Sequence, residues 1–324
     1  MQLSPLGIDI SKAKFDVALM RDSGKLRHKV FPNTEVGYHQ LSDWLLKHHI
    51  EQVHACMEST GTYSDALALY LHSAGHRVSI VNPAIIKAFA DSEMTRTKTD
   101  KTDAALIARY CLKHQPSAWS PPPPEISELQ ALVRRLDALL DMRQQESNRL
   151  EAGINAISVK ESVTNHISYL DSQIAYTKSL IKEHIDNHPS LKQQRELLSS
   201  IPGIGELTAA KLLAEIIDIN HYNSARQVAA FAGLVPRHHQ SGTSVRAKPR
   251  LCKVGAARLR KALYFPAIVA IQHNPVIKAM SERLRGRGKC PMQIIGAAMR
   301  KLIHICFGVL KSGKPFDPNY GKTA

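Results

Sequence analysis

The chain has 324 residues, 44% of them hydrophobic, with 43 Lys+Arg against 28 Asp+Glu and a formal net charge of +15. That length buries a sizeable core in two or three units, and five cysteines, an odd number without a CxxC pair, exclude a disulfide scaffold or a cysteine zinc site and fit a reducing cytoplasm. The charge is uneven: Ile219–Ala324 holds 19 Lys+Arg against Glu282 and Asp317, a net of +17, whereas residues 1–218 hold 24 basic against 26 acidic side chains, so the last third is expected to seek DNA or RNA.

Met1–Pro5 lacks a basic segment leading into an apolar one, so no signal peptide is predicted. Leu6–Ile10 and Phe15–Leu19 read as adjoining strands and Arg27–Phe31 as a third. Val36–His48 has helical spacing, Gln52–Met57 is a buried strand, Thr62–Ala74 a helix, and Arg77–Val81 a further buried strand. Ala84–Asp91 and Asp100–His114 are helical. Three strands followed by alternating helices and strands is the order of an α/β, RNase H-like fold, assigned to residues 1–120. The prolines at 121–124 cannot continue a helix and mark a boundary. Leu129, Val133, Leu136, Leu140, Leu150, Ile154 and Ile157, then Val163, Ile167, Leu170, Ile174 and Ile181, step by four and three, which predicts a coiled coil over 121–189, from one chain or from a pair. Residues 190–324 are expected to be mainly helical, with a Gly/Pro/Ser-rich loop at Val235–Pro249. The apolar run Ile294–Leu310 is broken by Arg300, Lys301 and His304, so it reads as a packed helix and no membrane partner is expected.

The chemistry is concentrated in four acids. Asp9 lies in the apolar run Leu6–Ile10, Glu58 closes Val53-His-Ala-Cys-Met-Glu58, and Asp100 and Asp103 are three apart on one helix face. A carboxylate among apolar residues is costly unless paired or bound to a cation. Singly, Asp9 and Glu58 read better as caps for the turns after them. Together the four suit Mg²⁺ or Mn²⁺, which take carboxylates plus substrate phosphate oxygens, and a pair of such ions can activate a nucleophile and stabilise a leaving oxygen. Arg96, Lys98 and Lys101 are placed for phosphate contacts or for simple solvation.

Leu197–Leu213 has a helix-hairpin-helix pattern: Gly203 and Gly205 permit a tight turn, and the following helix would offer free amides to a nucleic-acid backbone. An ordinary interhelical corner is the plain alternative. In the basic segment after it, Ser241 precedes Gly242 among Arg237, His238, His239, Arg246, Lys248 and Arg250. A serine there is a nucleophile only if a base, a metal or a strongly cationic setting activates it. On residue chemistry alone, phosphate hydrogen bonding is the simpler role, and Ser244 competes with Ser241.

Gly7-Ile-Asp-Ile-Ser-Lys12, Met57–Tyr63, Lys98–Ala104, Ile201–Gly205, Phe231–Pro236 with Ser241-Gly242, and Gly296–Leu302, in that order, resemble the DEDD transposases of bacterial insertion sequences, bridge-RNA-guided recombinases. The resemblance runs over the whole chain. It implies a RuvC-like N-terminal domain with its acidic tetrad on Asp9, Glu58, Asp100 and Asp103, a coiled coil, and a C-terminal transposase domain whose catalytic serine matches Ser241. It further implies donor and target DNA and a structured guide RNA as partners, a dimer or tetramer with a composite site, covalent phosphoserine chemistry, and action at the nucleoid in the cytoplasm. A metal-dependent structure-specific nuclease or Holliday-junction resolvase without covalent serine chemistry is the alternative.

Overall fold

The computed structural model describes residues 3–319 except 22, 60, 95–98 and 242–244, and only the backbone of 62, 238–241 and 245–249. The chain divides into two compact units, Met1–Pro121 and Pro122–Ala324.

The first unit is built on β1 (Ser4–Ile10), β2 (Lys14–Met20), β3 (Leu26–Pro32), α1 (Glu35–Leu46), β4 (Val53–Glu58), α2 (Asp65–Ser73), β5 (Arg77–Val81), α3 (Pro83–Ser92) and α4 (Asp100–His114). The strands form one sheet in the order β3-β2-β1-β4-β5. β1, β2 and β3 run antiparallel, and β4 and β5 lie parallel to β1. This is a mixed α/β sheet consistent with the RNase H-like expectation.

Alternation along the strands separates two faces. Leu6, Ile8, Phe15, Val17, Leu19, Ala55 and Met57 pack with Tyr38, Leu41, Leu45, Leu67 and Leu71 from α1 and α2. Gly7, Ala18 and Cys56 face the other way, where α4 contributes Ala104, Ala105, Ala108, Ile107 and Cys111. A Cβ on Gly7 would overlap the carbonyl oxygen of Ala104 and the amide nitrogen of Ala108, so only glycine lets α4 lie this close to β1.

The second unit comprises α5 (Pro124–Glu151), α6 (Ile157–Asp186), α7 (Pro189–Ser199), α8 (Glu206–Ile216), α9 (Ala225–Phe231), β6 (Pro236–Ser241), β7 (Val245–Leu251), α10 (Ala257–His273), α11 (Pro275–Gly286) and α12 (Pro291–Ser312). It is mostly helical around one core that runs from Leu129 and Leu170 through Leu198, Leu213 and Leu263 to Leu302. α5 and α6 fold back on each other within one chain. Arg143, which breaks the apolar stripe of α5, reaches across to Asp171 of α6. The stripe does not continue through Ile154 and Ile157 as the spacing predicts: α5 ends at Glu151, Gly153 adopts φ +90°, and Ile157 is left 84% exposed. The α7–α8 corner has the predicted Gly203, at φ +106°, and a Cβ there would stand 2.8 Å from that of Ala270 and 2.9 Å from the Pro266 carbonyl oxygen of α10.

The loop expected at Val235–Pro249 is instead a β-hairpin. β6 and β7 pair antiparallel, with Arg237 opposite Arg250 and Ser241 opposite Val245. α12 is long and apolar enough to cross a membrane by length and composition alone, but its Leu302, Ile303 and Cys306 are fully buried in the core.

The packing at Gly7 gives a direct expectation. Gly7→Ala should destabilise the protein by about 2–3 kcal/mol, the cost of overpacking against a backbone that cannot yield. Gly308→Ala, in the open on α12, should instead stabilise by up to about 1 kcal/mol through helix propensity. Urea denaturation of both variants checks the pair.

Candidate active site

β1 and β4 are parallel neighbours, with Ile8 beside Met57. One step further along each strand stand Asp9 and Glu58, at the same end of the sheet and on the face that α4 covers. Ile8 and Ile10 turn into the opposite core, and Asp9 is left half-buried. α4 begins at that end too. Thr99 is its N-cap, and the Thr99 and Thr102 side chains and backbone amides form a reciprocal capping box. The helix start is therefore capped by threonines, and Asp100 and Asp103 are not needed for it. Carboxylates in a first turn are favoured by the helix dipole.

The electrostatics show how closely the acids gather. The Asp9 carboxyl is pushed up to about 6, first by burial and then by the negative charges of Asp100, Asp103 and Asp16, while the Ile10 amide pulls it the other way. Asp16, directly across from Asp9 in the β1–β2 register, is a fifth acid that the motif reading does not include. Lys14, two residues before it, bonds Asp16 at 3.0 Å and Asp100 at 2.8 Å. Those bonds hold the Asp100 carboxyl below the ordinary range and raise the Lys14 ammonium. The signal for Asp16 was present in Phe15-Asp-Val17, a carboxylate between two apolar residues, the same pattern that singles out Asp9.

Carboxylates are donors of the kind a divalent cation takes: Asp100, Asp103 and Asp16 act on the half-buried Asp9, and Lys14 lies against Asp16 and Asp100. Among the described residues, however, no three His, Cys, Asp or Glu side chains stand close enough to share one ion. Asp16, Asp100 and Asp103 are within electrostatic reach of Asp9, and these acids do not form a coordination shell.

In the second unit, Gly203 is consumed by packing against α10, whereas Gly205 stands in open space as the N-cap of α8. Arg237 and Arg250 are exposed on the hairpin. Ser241 is the last residue of β6; its side chain, those of Arg246 and Lys248, and residues 242–244 lie outside the described residues, as do Arg96 and Lys98 of the first unit.

A model of DEDD transposases of the IS110 type matches residues 6–158, and one of the IS116/IS110/IS902 transposase family matches 195–282. The chain is 37% identical over 320 residues to the pilin gene-inverting protein of Moraxella bovis, covering 98% of both chains. It belongs to the IS110 family of DEDD transposases. The pilin gene-inverting protein of Moraxella lacunata is similar to the same degree, and the transposase for insertion sequence element IS1328 of Yersinia enterocolitica is 25% identical over 73% of this chain and 75% of its own. This transposase is thus a DNA recombinase of the insertion-sequence type.

The crowding at Asp9 has a sign that can be measured. A carboxyl whose folded pKa is raised contributes stability below the unfolded value of 3.8 that is lost as pH rises through about 6. A shift of that size is worth about 3 kcal/mol when fully buried; the half-buried Asp9 is screened by solvent, leaving about 1 kcal/mol. Metal-free Asp9→Asn transposase should therefore gain about 1 kcal/mol over the parent at pH 7.5 and nothing at pH 4, as read by denaturant titration at both pH values in EDTA.

Proposed function

We propose that this transposase cuts and rejoins DNA with a divalent cation, Mg²⁺ or Mn²⁺, held by Asp9, Glu58, Asp100 and Asp103, and with Ser241 as nucleophile. The observation that carries the reading is the Asp9 carboxyl, pushed up by burial and by three neighbouring acids. Such crowding is unfavourable to the protein alone and is relieved by a cation. The ion would polarise the phosphate and stabilise the oxygen that leaves it. In the step assigned to Ser241, its Oγ bonds to phosphorus while a phosphorus–sugar oxygen bond breaks, and the freed sugar oxygen takes up a proton. A sugar hydroxyl of the partner strand then attacks the phosphoserine and returns the serine. The basic residues that the sequence sets near Ser241, namely Arg237, Arg246, Lys248 and Arg250, would offset the charge developing on phosphorus.

The rest of the assembly follows from charge and from family likeness. The net +17 of Ile219–Ala324 supports binding of donor and target DNA together with a structured guide RNA, held by backbone and shape. Gly205, open at the start of α8, supports a helix-hairpin-helix contact with a phosphate. The paired helices α5 and α6 are the coiled-coil element of a dimer or tetramer acting at the cytoplasmic nucleoid, and the relatives' names support recombination as the outcome.

Ser241→Ala should lower strand transfer by about 1,000-fold or more and abolish the covalent protein–DNA adduct seen on denaturing gels, while DNA binding persists. Recovery of that adduct from Ser241→Ala would refute the serine assignment, and strand cutting by the parent with no adduct at all would point to attack by water.

A further inference from the structure

Lys14 is absent from the motifs that mark the site, yet its ammonium pairs with two of the gathered acids, at 3.0 Å to Asp16 and 2.8 Å to the tetrad residue Asp100. The two carboxylates differ. The Asp16 side chain is 11% exposed and fixed on β2 opposite Asp9, whereas that of Asp100 is 57% exposed at the start of α4. The ammonium is therefore anchored on Asp16 and reaches over to Asp100. A lysine has donors and no acceptor, so it bonds the Asp100 carboxylate in the role that a cation would take there.

We infer that Lys14 is a positioning residue that competes with the divalent cation for Asp100, keeping that carboxylate aimed at the site and withholding it until an ion of higher charge displaces the ammonium onto Asp16 alone. This inference rests on the metal reading given above. Exposed ion pairs are weak and readily exchanged, which suits a contact that must open on loading. The field of the neighbouring acids, Asp9, Asp16 and Asp103, keeps the released ammonium close.

The test is Mn²⁺ binding to the full chain, followed by the loss of the free-ion electron paramagnetic resonance signal, with no nucleic acid present. Lys14→Met should bind Mn²⁺ about threefold to fivefold more tightly than the parent, the range an exposed ion pair can supply. Lys12→Met removes the same charge two residues away from a side chain not bonded to Asp100, and should change the affinity by less than about twofold. Equal gains in the two variants, or no gain in Lys14→Met, overturn the inference while leaving the metal site standing. Asp9→Asn separates the two levels: if it binds Mn²⁺ as the parent does, the metal reading itself is wrong.

Discussion

Helix α4 lies on β1 with its Ala104 carbonyl and Ala108 amide where any side chain at position 7 would have to be. Small residues line the rest of that contact: Ala104, Ala105 and Ala108 on the helix and Ala18 on β2. The closeness decides where the start of α4 falls, at the sheet end where β1 and β4 place Asp9 and Glu58. The Lys14 bridge ties Asp16 to Asp100, but the backbone approach is what brings the helix start to the strand ends. A glycine and a few alanines allow that approach.

That arrangement works against the unliganded protein. Burial and like charges raise Asp9 to about 6, so near neutral pH the fold carries an ionised carboxylate at a cost to its stability. Two features moderate the cost: the first turn of a helix favours negative charge, and the Lys14 ammonium sits between Asp16 and Asp100. Strain of this kind at functional positions is a familiar cost of activity.

Much of this was legible in the residues, for identifiable reasons. α4 and β5 fall on the ranges that the residue pattern predicts, Asp100–His114 and Arg77–Val81, and the buried strands announce themselves as mainly apolar runs. Asp9 and Glu58 could be singled out because they interrupt or close such a run, and Asp100 and Asp103 because they stand three apart on one helix face. The β6–β7 hairpin was hidden, since Arg246, Lys248 and Arg250 at alternate positions of β7 give a charged, proline-containing segment that reads as a loop. The turn after α5 was missed because the apolar spacing continues through Ile154 and Ile157, although Gly153 marks the break. Gly203 was read as a turn glycine, but its lack of a side chain equally serves the approach of α10, a tertiary contact no local pattern contains. Lys14 and Asp16 escaped for a similar reason: their importance comes from cross-strand register and from α4, 86 residues away at Asp100.

The most direct test of the central claim is diffraction from crystals of the full chain grown with Mn²⁺ and measured at the manganese absorption edge. The account predicts an anomalous peak bounded by the carboxylates of Asp9, Glu58 and the first turn of α4, with Lys14 withdrawn from Asp100. A peak elsewhere, or these carboxylates turned apart with no ion between them, would contradict it.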